Sequence, residues 1–204
     1  PQKLAVTPRP GFPQSLSVTL ATLAEAKAKS TVARITTAAG QEMVLLHPGP
    51  FAMGSSRREV GRRANEALRQ VRLQRPFYLG VAEVSNAEFR QFRAGHSSGN
   101  FKGKSLNGDE QPAVNLAWED AALYCNWLSA KEGLPPFYTV QGARVTGFTA
   151  ASRGYRLPTE AEWAWAAIVQ ADGSSARFGW GQALPPSAKA GNFADQSGAT
   201  LLGQ

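Results

Sequence analysis

Polar and apolar positions divide the chain into many short segments. Ser15-Leu16-Ser17-Val18-Thr19-Leu20 and Thr31-Val32-Ala33-Arg34-Ile35-Thr36 alternate as half-buried strands do, and the Ala-, Glu- and Lys-rich stretch Leu23 to Lys29 between them reads as a short helix. Met43 to Leu46 is a short buried strand, and Phe77-Tyr78-Leu79 is a strand by composition. Phe89 and Phe92, three apart, share one helical face. The strongest helical periodicity runs from Trp118 to Lys131, where Ala121, Tyr124, Cys125 and Leu128 recur on one stripe and Gly133 is a suitable stop. Phe137-Tyr138-Thr139-Val140 and Val145-Thr146-Gly147-Phe148-Thr149 predict a hairpin, and a last helix is expected from Glu160 to about Gln170, with Trp163 and Ala167 on one face.

Two helix starts are unusually well defined. Ser85 with Glu88, and Thr159 with Glu162, each have the spacing of a capping box, in which side chain and backbone satisfy each other's hydrogen bonds. Pro158 before the cap and Trp163 at the fourth helical position predict a hydrophobic staple. The breaks are equally clear. Prolines 1, 8, 10 and 13 favour an extended linker, and Pro48-Gly49-Pro50 turns the chain toward Gly54, where positive φ or close backbone approach is expected. Residues 95 to 111, with four glycines, read as a loop, and Asp172-Gly173-Ser174-Ser175 reads as a turn. The expected organisation is a Pro-rich linker and small β-rich appendage over 1–40, followed by a domain over 41–204.

Composition narrows the chemistry. An apolar fraction of 43% and a charged fraction of 18% in 204 residues are those of a folded soluble protein with material for a core. No apolar run approaches the ~18 to 20 residues that span a bilayer, and no segment has a secretory-signal layout. The start at Pro1 suggests a piece of something longer. One cysteine excludes an internal disulfide framework or Cys-based metal cluster, and on the buried stripe Cys125 reads as a small hydrophobe rather than a nucleophile. Two histidines, His47 and His96, are too few for a three-histidine iron site without outside ligands. The net charge of +7 is concentrated at Arg57, Arg58, Arg62, Arg63, Arg69, Arg72 and Arg75, opposed locally by Glu59 and Glu66. Without aromatic interleaving, this run suits a solvated loop or an acidic protein surface better than nucleic acid.

Beyond its capping physics, the string Arg156-Leu157-Pro158-Thr159-Glu160-Ala161-Glu162-Trp163 resembles the central motif of the formylglycine-generating enzyme (sulfatase-modifying factor) family. Phe51-Ala52-Met53-Gly54-Ser55, Phe77-Tyr78-Leu79-Gly80 and Glu83-Val84-Ser85-Asn86-Ala87-Glu88-Phe89 are similar to its earlier motifs. Pro112 to Ala121 with Tyr124-Cys125-Asn126-Trp127-Leu128 resembles its second helix, and Phe178-Gly179-Trp180-Gly181 and Gly191-Asn192-Phe193 continue the order. The likeness covers about residues 43 to 195.

The resemblance implies a C-type-lectin-like α+β fold with much irregular structure, incomplete at the C-terminus because further strands would lie beyond Gln204. It implies a structural calcium at Asn192, the Phe193 carbonyl and Asp195, with an ordinary asparagine turn as the alternative. In the enzymes of the family, two C-terminal thiolates bind copper(I) and activate dioxygen to oxidise a sulfatase cysteine to formylglycine. Cys125 lies in a different motif, so copper is not expected on this chain alone and no catalytic residue is assigned. Three readings follow: a non-catalytic binding or scaffold module, expected in the bacterial periplasm or envelope; the N-terminal half of a copper-dependent oxidase; and an iron-dependent oxidase relative. The expected partner is the C-terminal half of the domain or a protein covering its exposed core, with an acidic surface meeting Arg57 to Arg75, and no nucleic acid or membrane span.

Overall fold

The computed structural model describes residues 32–59 and 61–183. The chain divides between Val32 and Ala33, and these elements belong to the second unit. Nine short strands and three helices occur among the described residues: β1 (Arg34–Thr36), β2 (Glu42–Leu46), β3 (Pro50–Met53), β4 (Arg69–Arg72), β5 (Phe77–Gly80), α1 (Asn86–Phe92), β6 (Asn100–Phe101), β7 (Lys104–Ser105), α2 (Trp118–Lys131), β8 (Tyr138–Gln141), β9 (Arg144–Phe148) and α3 (Glu160–Ile168). β1, β2 and β5 make an antiparallel sheet in that order, while β3–β4, β6–β7 and β8–β9 are separate two-stranded ribbons. The strand expected near Thr31 to Thr36 thus pairs directly with β2, Ile35 opposite Met43.

Helix α2 organises the packing because both hydrophobic clusters use it. Tyr124 and Leu128 meet Phe89 and Ala39 in one cluster, and Ala122 and Cys125 meet Tyr138 in the other. The Phe89 ring stacks on Tyr124 at 5.5 Å and meets Phe92 edge-on at 5.6 Å, so the two phenylalanines of α1 do share a face. Trp165, Ala166 and Val169, from α3 and its C-cap, line one groove with Val44, Leu46 and Leu79 of the sheet.

Ladders this short leave backbone groups for side chains to satisfy. The Asn126 amide accepts from the Phe137 and Tyr138 amides at 3.1 and 3.0 Å and donates to the Tyr138 carbonyl at 2.8 Å, replacing a missing strand beside β8. Buried Asn86 donates to the Leu106 and Gly108 carbonyls, both at 2.8 Å, and accepts from the Ser98 hydroxyl at 2.6 Å. Arg90 adds bonds to His96, Asn107 and Asp109.

Several local expectations shift. The loop read over 95 to 111 contains the β6–β7 hairpin, whose turn residues Lys102 and Gly103 both have positive φ, 46° and 79°. Part of the arginine run is strand β4, because Val71 alternates inward opposite Phe51. Trp163 is 64% exposed beside exposed Pro158, so its ring is mostly in water rather than stapled down.

Gly54 has φ of +94°, and an added Cβ would lie 2.5 Å from the Ala67 carbonyl oxygen across the β3–β4 ribbon. Gly54→Ala is therefore expected to destabilise the domain by about 2 kcal/mol or more. Urea denaturation checks this; an unchanged midpoint would contradict the contact.

Candidate functional site

The segment after β9 shows how the most distinctive motif is used. Tyr155 donates its amide to Ser129 Oγ at 2.8 Å and its hydroxyl to Glu132 at 2.7 Å, and the Leu157 amide donates to the Tyr138 hydroxyl at 3.1 Å. Arg156 grips Glu162 through both nitrogens, at 2.7 and 2.6 Å, while its guanidinium lies 5.6 Å from the Phe137 ring centre. The Glu162 carboxylate also accepts the Thr159 amide at 2.8 Å, and Thr159 Oγ1 caps the Glu162 amide at 3.2 Å, completing the capping box. Burial alone pushes the Glu162 carboxyl upward, but the bonds from Arg156 and Thr159 outweigh it and hold it below its ordinary value. Arg156 is raised by the same pairing. Acid, base and cap are all engaged with each other.

Beside this node lies a row of aromatic rings. Trp118 meets Tyr138 edge-on at 5.5 Å, Tyr138 meets Phe137 at 5.0 Å, and Phe137 stacks on Phe148 at 5.6 Å with 5° between planes. The ends are open to solvent, Trp118 at 54% and Phe148 at 66% exposure. The hydrophobic pattern does not mark this row, because its rings come from α2, β8 and β9 and meet only once those elements pack together. Phe178 and Trp180 stack separately at 4.7 Å.

Cys125 is buried between Ala122 and Tyr138, and burial pushes its thiol up to about 12 despite the Arg156 charge nearby. His96 packs at 4.7 Å on the Phe89 ring and contacts Ser98 Oγ at 3.2 Å, while His47 is exposed on the segment after β2. Among the described residues, no group of three His, Cys, Asp or Glu side chains is placed to hold a metal ion. Asn192, Phe193 and Asp195 lie outside the described residues. No helix among the described residues is long and apolar enough to cross a membrane.

The arginine run forms a shaped loop. Arg62 donates to the Ser55 and Glu66 carbonyls at 3.1 and 3.2 Å, and Ser55 Oγ donates to the Glu66 carboxylate at 3.2 Å. Arg69 pairs with Glu160 at 3.2 Å and Arg177 with Glu59 at 3.2 Å. The locally available carboxylates are thus engaged inside the domain.

Glu162→Gln removes one charge of a largely buried bidentate pair and should cost roughly 2 to 4 kcal/mol at neutral pH. Because the folded carboxyl titrates below its ordinary value of 4.5, its contribution is complete above that value and disappears as pH falls through the lower folded value. Urea midpoints across that window should fall more steeply for the natural chain than for Glu162→Gln, and parallel curves would refute the assignment.

The overall arrangement recurs in solved structures. Treponema denticola variable protein 1 matches with a TM-score of 0.61 at 23% identity, over 76% of this chain and 62% of that one. CarF matches with a TM-score of 0.58 at 22% identity, over 78% and 69%. These neighbours share the C-type-lectin-like fold of formylglycine-generating enzymes, with mixed small helices and strands. "Chaperone protein LppX" of Paenibacillus barcinonensis is 32% identical over 105 residues, which is 45% of this chain and 35% of that protein, so the matched stretch is about a third of the relative's length. The family model for the sulfatase-modifying factor enzyme 1-like domain matches residues 28–199, and with these motifs in order on this fold, the chain belongs to that family.

Proposed function

We propose that this chain acts as a non-catalytic binding module of the sulfatase-modifying-factor type within a larger protein or assembly, in the bacterial envelope. The observation that carries the reading is the state of Cys125. Copper(I) chemistry in the family depends on a pair of accessible thiolates, since soft, low-coordinate copper needs two sulfurs. These 204 residues supply one thiol, which is buried and pushed up to about 12, so the donor set does not fit that ion. The Arg156–Glu162 pair is likewise committed to the fold.

A partner protein, or the C-terminal half of the same domain, supplies cover for exposed rings such as Trp118, Phe148 and Trp163. A protein-facing role accords with the relative named as a chaperone protein. A structural calcium at Asn192, the Phe193 carbonyl and Asp195 belongs to the same proposal. The ion would tie down loop oxygens and perform no chemistry.

Thiol reactivity and copper uptake test the reading together. With its titration moved from 9.0 to about 12, Cys125 should react with a disulfide reagent at pH 8 roughly a thousandfold more slowly in the folded chain than in urea. Copper(I) offered against a chelator should not bind stoichiometrically. One equivalent of copper accompanied by oxygen uptake on a cysteine-containing peptide would overturn the proposal in favour of an oxidase half. Millimolar calcium should raise the melting temperature by a few degrees, and Asp195→Ala should abolish the rise. A melting temperature indifferent to calcium would remove that site.

A further inference from the structure

We propose that the β3–β4 ribbon and its connecting loop dock an acidic, extended segment of a partner protein, through Arg57, Arg58, Arg63, Arg72 and Arg75. The inference deepens the binding-module reading and rests on it. Of the seven arginines in this run, Arg62 and Arg69 are used internally, the first on the Ser55 and Glu66 carbonyls and the second on Glu160. The other five are exposed, and their guanidinium groups have no ion-pair or hydrogen-bond partner among the described residues. Their natural counter-ions are engaged elsewhere: Glu59 by Arg177, Glu66 by Ser55, and Glu162, which lines a depression with Arg72 and Arg75, by Arg156.

The loop also holds a defined shape. The Ser55 amide donates to the Glu66 carbonyl at 3.1 Å, Arg62 to Glu59 at 3.3 Å and Glu66 to Arg63 at 3.1 Å, with Arg62 clamping both ends. The backbone that carries the cationic groups is thus held by hydrogen bonds at several points before any partner arrives, which lowers the ordering cost of binding.

Residue type and spacing select the occupant. Every cation between Gly54 and Pro76 is arginine, whose planar fork matches a carboxylate through two parallel bonds. The same stretch contains no aromatic residue on which bases would stack. Leu68 is its exposed large hydrophobic residue, which is little to insert into a lipid interface. From the Ser55–Ala67 bridge to Arg72 at the far end of β4 the ribbon runs roughly 16 Å at strand rise, and the loop arginines lie beyond the bridge. One compact acid cannot reach both groups, whereas an extended run of about six to eight residues can.

The test uses the full chain and a labelled, roughly ten-residue Asp/Glu-rich peptide, with an Asn/Gln peptide of equal length as control. Fluorescence anisotropy should show binding of the acidic peptide that weakens steeply with added salt. Arg57→Gln/Arg58→Gln/Arg63→Gln and, separately, Arg72→Gln/Arg75→Gln should each weaken it at least about tenfold while melting like the natural chain. Equal affinity in either variant, no preference over the neutral peptide, or tighter binding to single-stranded DNA or phosphatidylserine vesicles would overturn the proposal. Peptide failure with Cys125 still unreactive and copper-free would discard this surface alone. Copper uptake with oxygen consumption would remove the binding-module reading itself.

Discussion

The bidentate contact between Arg156 and Glu162 is the constraint on which the second half of the domain depends. It closes across the start of α3, so the strand-like approach Tyr155-Arg156-Leu157 and the helix it feeds are fixed by one carboxylate. The approach is itself tied to α2 through Ser129 and Glu132 and to β8 through the Tyr138 hydroxyl. Arg156 over Phe137 extends the same anchorage to the base of the aromatic row. Such a pair adds little net stability compared with a packed apolar equivalent, because both charges must leave water. Its value is positional: with either partner missing, a charge is stranded in a half-buried setting, so one arrangement of the segment is strongly preferred.

A wider rule explains why polar residues are so prominent in the interior. A fold of two- to five-residue strands cannot satisfy its own backbone through ladders alone. Asn86, Asn126, Ser98 and Ser129 take the place of neighbouring strands, each bridging segments far apart in sequence. Ser129 donates to the Cys125 carbonyl within α2 and accepts the Tyr155 amide from outside it, so one hydroxyl completes two elements. The Tyr124 hydroxyl is the exception among the described residues: it is buried without a hydrogen-bond partner among Phe89, Phe92 and Trp127. Its ring packing offsets that cost.

What the sequence made legible was local. Capping boxes at Ser85 and Thr159, the α2 stripe and the β8–β9 hairpin depend on neighbours within a few residues, and the structure has them. The β6–β7 hairpin was hidden because its composition is that of a loop; what makes it a hairpin is long-range support from Asn86, Arg90 and Asn107. The exposed aromatic row was hidden for a similar reason, since Trp118, Tyr138 and Phe148 come from three elements and share no periodicity. Trp163 was misread as a staple because the pattern shows that a large ring stands at the right helical position and says nothing about whether a surface exists to receive it. The ordered family motifs carried the fold across these gaps where local physics did not reach.

The division between frame and function follows from how charges and thiol are placed. Residues that make the chain recognisable, Arg156, Thr159 and Glu162 above all, are hydrogen-bonded to one another. Its one thiol is buried in the core. Exposed cationic and aromatic groups sit instead on the arginine ribbon and the aromatic row. The Arg156–Glu162 node holds its shape through the domain's own hydrogen bonds, so the fold it anchors can carry different chemistries on its loops. Exposed arginines and rings held on such a frame are where a binding module of the kind proposed would meet its partner.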